Sequence, residues 1–313
     1  MLSKVKPRTT AIVIALFVTV LWSSSWILVK LGLKDIPPLT FAGLRYVWAF
    51  LVLLPATLLN QKRRSEILNM SRRNWLRLTL LGLLFYTLTQ GLVYVALGYL
   101  RAATLSLMLN FTSAVVAMLG IFLLVEIPTL LQWIGMSIFL LGGVIYFYPL
   151  GTDEPVLGLL VGGVVVITNA LSSILGRDIN RTRDVDPMIV TLVSMGAGSI
   201  TLLVSGFILQ GLPRMDLLSW SIIGWLAIIN SAFAFTLWNM TQRTLNATES
   251  SIINNTMLIQ IALLAWIFLG EQLTLQEIGG LTLAALGVLL VQVRGSLVDK
   301  KVNNKKYQTD EIR

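Results

Sequence analysis

Phe122-Leu-Leu-Val-Glu126-Ile-Pro-Thr-Leu-Leu-Gln-Trp-Ile-Gly135 returns, degenerate but in register, as Ile267-Phe-Leu-Gly-Glu271-Gln-Leu-Thr-Leu-Gln-Glu-Ile-Gly-Gly280. Glu126 and Glu271 stand 145 positions apart. At the same offset Ser106 falls on Ser251, Asn110 on Asn255, Gly135 on Gly280 and Gly142 on Gly287. A carboxylate, an amide and two glycines that align at one offset read as a single unit written twice.

The chain has 313 residues, 56% of them hydrophobic and only 12% charged, with a mean hydropathy of +0.80. That is too apolar for a soluble domain and fits a bilayer. The excess of 24 Lys and Arg over 15 Asp and Glu lies in short blocks between apolar runs. Such blocks set topology at a membrane surface; nucleic acid is not indicated. With no Cys and no His, thiolate and imidazole chemistry are absent, and no acid falls well inside an apolar run. No metal and no cofactor is expected.

Ten apolar stretches can be drawn, at 11–31, 39–59, 75–97, 102–125, 130–149, 156–176, 188–209, 218–239, 248–269 and 275–293. Each approaches the ~20 residues that a helix needs to cross the hydrocarbon core. The first carries Trp22 and Trp26 and reaches Lys30 without a small-residue cleavage pattern, so it is read as a retained helix, not a signal peptide. If residues 1–10 are cytoplasmic, the inside segments hold 19 Lys and Arg against four outside (Lys30, Lys34, Arg101 and Arg214). Both termini are therefore expected in the cytoplasm of a cell (inner) membrane protein. Five spans per copy is an odd number, so the second copy enters from the opposite side, the inverted duplication of secondary transporters. The expected organisation is a first repeat at 11–149, a linker at 150–155 with Pro155, a second repeat at 156–293 and a polar tail at 294–313.

These features together resemble the drug/metabolite transporter superfamily, EamA type: ten apolar spans in two halves, the cluster Leu21-Trp-Ser-Ser-Ser-Trp26, and a Glu closing the fourth and ninth spans before a glycine-rich fifth and tenth. The resemblance covers about 11–293. It implies an all-α membrane fold around a central cavity lined by spans 1–4 and 6–9, with 5 and 10 peripheral. Where Trp22 would recur, Val166-Ile-Thr-Asn-Ala170 offers Asn169, which implies an asymmetric cavity. The resemblance leaves the substrate open among amino acids, amines, sugars, nucleotide derivatives and drugs.

In a span, a polar residue either ties helices together or lines a wet cavity. Asn110 with Ser106 and Ser113, and Asn255 with Ser251, share faces at helical spacing. They read as a pseudo-symmetric amide pair facing substrate or as interhelical ties worth ~0.6–2 kcal/mol each. Tyr86, Gln90 and Tyr94 run down one face of span 3, and Asn230 and Trp238 share a face of span 8. Gln90 and Asn230 suit an amino or carboxylate group and the rings suit a flat or cationic body, unless they are core filler.

Arg45, seven residues after Pro38, is a charge inside a span with no acid nearby in sequence. It captures a substrate carboxylate, snorkels, or caps a broken helix. Lys30 and Arg177 read as interfacial anchors. Glu126 and Glu271 read as caps of the following helix at Thr129 or Thr274, or as gating sites. Glycines 82, 120, 135, 142, 143, 158, 162, 163, 279, 280 and 287 read as close-packing points, and Gly158-Leu-Leu-Val-Gly162 is a weak sign of dimerisation.

The partners so implied are a small-molecule substrate and the lipid bilayer, with oligomeric state open. The expected function is export of an amino acid or related amphiphile by alternating access, through facilitated diffusion or exchange. The rivals are an importer or an organic-cation and multidrug carrier, an intramembrane lipid-modifying enzyme and a non-transporting scaffold. Because the chain lacks Cys, single-cysteine reporters test its orientation directly. Lys305→Cys should react with a membrane-impermeant maleimide only in opened cells, and Arg214→Cys in intact ones; reaction of Lys305→Cys in intact cells would reverse the topology.

Overall fold

A computed structural model describes residues 7–123, 130–148, 154–182, 184–241, 244–245 and 247–290. Among the described residues there is helix and no strand. The helices are α1 (Pro7–Gly32), α2 (Pro38–Leu58), the short α3 (Gln61–Leu68), α4 (Arg72–Tyr99), α5 (Ala102–Leu123), α6 (Leu130–Phe147), α7 (Val156–Thr182) and α8 (Pro187–Gln210). Next comes α9, which runs through Leu217–Ala227, Ile228–Phe233 and Ala234–Thr241. Then follow α10, made of Ala247–Asn255 and Met257–Leu269, and α11 (Leu275–Leu290).

Six stretches have the length and composition of a membrane span: Arg8–Gly32, Pro38–Leu58, Arg72–Tyr99, Val156–Asn180, Pro187–Gln210 and Ile252–Leu269. Four shorter apolar stretches, Ala102–Val116, Trp133–Phe147, Leu217–Phe233 and Leu275–Leu290, rise ~22–26 Å at 1.5 Å per residue. Large apolar side chains such as Phe17, Leu51, Ile167, Ile208 and Leu263 point outward. An apolar exterior of this kind suits lipid as its solvent.

Helix starts follow local chemistry. Asn60, Ser71, Asp186 and Asp216 accept from the N–H groups of Arg63, Asn74, Met188 and Ser219, respectively. The Asp216 carboxyl is held below the usual range by the Ser219 backbone N–H it accepts. Gly270, at φ 67°, closes α10 in the left-handed conformation. Thr274 and Glu277 then form a reciprocal box: Glu277 Oε2 accepts from Thr274 N at 2.7 Å, and Glu277 N donates to Thr274 Oγ1 at 3.2 Å. Thr274 thus caps α11, with Glu277 closing the box from three residues on.

The described helices sort into two compact units. One comprises residues 24–119 and 153–235. In it α8 packs antiparallel to α2, because the contacts step down one helix as they climb the other: Gly206 lies on Thr40, Gly43 on Leu203 and Gly196 on Phe50. Against α4 it runs parallel, with Gly82 on Ser194, Gly198 on Gly82 and Gly91 on Leu202. A Cβ at Gly82 or Gly198 would fall within 3.0 Å of the facing backbone, so only glycine fits. α7 runs antiparallel to α4 (Gly158 on Tyr99, Gly176 facing Leu81) and parallel to α5 (Gly162 on Met108). Gly158 and Gly162 thus pack within the chain.

The other unit comprises residues 1–23, 120–152 and 236–313. In it α6 and α11 form a seam. Gly142 packs on Gly280 and Ala284, and Gly287 packs on Gly135 and Phe139. The order again reverses, so these helices are antiparallel. The two contact pairs also exchange under the 145-residue shift that relates Gly135 to Gly280 and Gly142 to Gly287.

Gly163 and Gly279 meet nothing within 4 Å and do not pack as the sequence reading expected. Among the remaining glycines, residue 120 lies outside the described side chains. Gly198→Ala and Gly142→Ala should each lower stability by about 1–3 kcal/mol through overpacking. Gly163→Ala should be neutral or gain up to ~1 kcal/mol. Thermal midpoints of the detergent-solubilised variants check this ordering.

Candidate functional site

Arg45 lies seven residues beyond the first residue of α2, about 10 Å into the helix at 1.5 Å per residue, and is 7% exposed. Its Nη1 donates to the Tyr94 hydroxyl at 3.0 Å and its Nε to Ser231 Oγ at 3.5 Å. The guanidinium carbon lies 5.2 Å from the centroid of the Tyr46 ring, a cation–π distance. Tyr46 in turn donates its hydroxyl to Gln90 Oε1 at 2.8 Å. Tyr86 meets Tyr46 edge-on at 5.3 Å, and Phe41 meets Tyr94 at 5.2 Å. Among the described residues no Asp or Glu bonds to Arg45. The described ion pairs lie elsewhere, at Arg63–Asp186, Arg77–Asp178 and Arg101–Glu154. Neither snorkelling nor a helix cap fits a guanidinium held between α2, α4 and α9.

Two local irregularities shape this cluster. α4 widens to π geometry over Leu83–Gln90, and α9 does so over Ile228–Phe233. A wide turn strains the i−4 ladder and frees backbone acceptors, and such bulges concentrate at functional sites. Hydroxyls take up the slack: Thr89 Oγ1 donates to Leu84 O at 2.8 Å and Ser231 Oγ to Leu226 O at 3.0 Å, each five residues back. Tyr86, Gln90 and Ser231, which these segments present to the cluster, belong to helices 3 and 8 of the expected series. The Tyr86, Gln90 and Tyr94 face read from sequence is therefore assembled around Arg45, whereas Tyr46 and Ser231 were not foreseen. A Tyr directly after the Arg and a Ser directly after Asn230 were the available signals.

Other expected site residues lie apart from this cluster. Asn230, fully buried, donates to Ser24 Oγ at 3.4 Å. Asn169 donates to Thr112 Oγ1 at 3.2 Å, tying α7 to α5. Asn110 donates to Ser106 O of its own helix at 2.8 Å. Trp26 is half-buried and makes none of the polar contacts described. Lys30 donates to the carbonyl of Leu100, and Arg177 is exposed.

In the other unit Trp22 and Trp238 pack at 5.1 Å, tilted by 51°. Beside them Gln260, absent from the sequence reading, accepts from Ser23 at 2.9 Å and donates to Thr19 and Thr256 at 3.1 and 2.9 Å. A side chain so fully bonded is a tie between helices. Asn255 Nδ2 and Ser250 Oγ are buried without a hydrogen-bond partner among the described residues. The amide pair of the two repeats is thus unequal. Of the two helix-end acids, Glu126 lies outside the described residues. Glu271 follows the Gly270 closure, its backbone N–H bonding Ala265 O at 3.3 Å.

The EamA-like transporter family matches residues 9–148 and again 156–293. The chain belongs to the EamA-like transporter family. Its relatives include the uncharacterized transporter YvbV of Bacillus subtilis (27% identical, covering 92% of this chain and 93% of the relative) and YoaV of the same organism (24%, covering 87% and 93%). The uncharacterized inner membrane transporter YedA of Escherichia coli is 26% identical, covering 88% and 86%. One solved crystal structure superposes with a TM-score of 0.65 at 17% identity, over 91% of this chain and 98% of that one; it shows fold alone. The protein is therefore a multi-pass membrane transporter of the drug/metabolite type, as the sequence features resembled.

The Arg45–Tyr94 contact is testable by itself. A double-mutant cycle on Arg45→Met and Tyr94→Phe, read from thermal unfolding in detergent, should give a coupling of about 1.5–3 kcal/mol, the range for a hydrogen bond to a charged group.

Proposed function

We propose that this EamA-like protein is a ten-helix carrier of the cell membrane, built of two inverted repeats at 11–149 and 156–293. On this reading both termini are cytoplasmic, and the carrier moves a small organic metabolite outward by alternating access. The substrate is an amino acid or related amphiphile with a carboxylate. Movement is facilitated or by exchange, since the acids of the described spans, Asp178 and Glu277, lie at helix ends and none lies well inside an apolar run. The antiparallel α6–α11 seam, with contact pairs that exchange under the 145-residue shift, supports the inversion, because a two-fold relation demands that reciprocity.

The observation that carries the reading is Arg45, a buried guanidinium whose protein partners are all neutral. A buried charge without an opposite charge is costly, and retaining it needs a reason. A substrate carboxylate supplies that reason. The same charge disfavours the organic-cation reading, since a bound cation would meet a like charge at low dielectric.

In proteoliposomes Arg45→Met should lower metabolite flux about 30-fold or more, the scale for removing one partner of a buried charge contact. Its thermal stability should hold or rise, because an apolar residue of similar volume replaces a buried ion. Glu126→Gln and Glu271→Gln should leave flux in place. Flux that is driven by a pH gradient and abolished by either Glu variant would refute the uncoupled mechanism.

A further inference from the structure

We infer that the species carried at Arg45 bears a net negative charge, as a small monocarboxylate without a free ammonium group, and that its transport moves charge across the membrane. This rests on the transport reading above and narrows it.

A guanidinium has five N–H donors in a planar fork. In this structure Nε faces Ser231 and one Nη1 hydrogen faces Tyr94. The remaining donors, including both on Nη2, have no acceptor among the described residues. That free edge matches the two oxygens of a carboxylate, which it can bind in bidentate fashion. The neutral hydroxyls of Ser231 and Tyr94 take Nε and one Nη1 hydrogen and fix the fork's orientation.

An α-ammonium has no comparable partner. The helices walling Arg45 are α2, α4 and α9. Between Pro38 and Leu58, between Leu78 and Tyr99, and between Leu217 and Thr241 they contain no Asp or Glu at all. The carbonyl of Gln90 already accepts from Tyr46, and it carries no charge. A zwitterion whose carboxylate took the guanidinium would therefore leave its ammonium, just beyond that carboxylate, with no protein anion to partner it among the described residues of these helices, which is costly at low dielectric. One cation balances one anion, so a monocarboxylate closes the charge and a phosphate dianion leaves an excess. The rings of Phe41, Tyr46, Tyr86 and Tyr94 offer an apolar wall for the body of such an acid.

The direction of net flux follows. A carrier that moves a monoanion without a coupling ion is driven by the membrane potential, and an inside-negative potential expels anions. Export then needs no proton site.

The test uses phenyllactate and phenylalanine, which share a body and differ in a hydroxyl against an ammonium. Full-length protein in liposomes is loaded with either labelled solute, and a potassium-diffusion potential of either sign is imposed with valinomycin. Phenyllactate should leave at least tenfold faster under an inside-negative than an inside-positive potential. Phenylalanine should move at least tenfold more slowly than phenyllactate. Arg45→Gln should abolish the phenyllactate flux while eluting as wild type, and the potential dependence of the wild-type protein keeps the test independent of that variant. Phenylalanine carried as fast as phenyllactate, or phenyllactate flux indifferent to potential, overturns the charge inference and leaves the carrier in place. No protein-dependent flux from a mixed panel of labelled anions, zwitterions and amines overturns the transport reading along with it.

Discussion

The backbones of α4 and α8 touch where both carry glycine. Gly82 faces Ser194 and Gly198 faces Gly82, with Thr87 Oγ1 donating to Gly198 O at 2.7 Å across the contact. In lipid there is no hydrophobic drive to press helices together, so close backbone approach and a few hydrogen bonds must do it. The same α8 takes α2 on another face through Gly43, Gly196 and Gly206. Two of the three helices around Arg45 are thus seated on one partner. A methyl group at either seam would move the Tyr94 and Tyr46 hydroxyls relative to the guanidinium.

Charge is treated differently at helix ends and inside the spans. Glu154, at the mouth of α7, accepts from Arg101 Nε at 2.8 Å and Thr104 Oγ1 at 2.6 Å, beside the N-terminus of α5. Arg63 with Asp186, and Arg77 with Asp178, pair at other helix ends. Against these stands Arg45, whose neighbours are hydroxyls and a ring. A cation kept apart from every acid of its surroundings is costly to hold without a ligand, and that imbalance makes it the natural centre of a binding site.

The two stretches that match the family, 9–148 and 156–293, have features in common but differ in detail. Both third helices widen into π turns, and in each a hydroxyl reaches the carbonyl five residues back. The Asn110 and Asn255 pair departs from equality: the first folds onto its own helix, while the second leaves Nδ2 buried without a partner next to the break at Thr256.

Read alone, the chain pointed to the membrane class and the family, and its apolar runs fall on described helices. Runs of ~20 apolar residues and a repeated Glu and Gly pattern leave few other solutions in a solvent that cannot hydrogen-bond. It also marked Arg45, Gln90, Tyr94 and the glycines Gly82, Gly142 and Gly280, because polar or small residues stand out against an apolar background. It missed Gln260, Tyr46 and Ser231, since their meaning lies in partners on other helices. The π turns were likewise invisible: a change from 3.6 residues per turn is decided by packing and by which hydroxyl reaches a freed carbonyl, not by residue type. Tertiary structure alone decided that Arg45 keeps a free edge and meets no acid among the described residues, because whether a buried charge is paired depends on what three separate helices bring to one point.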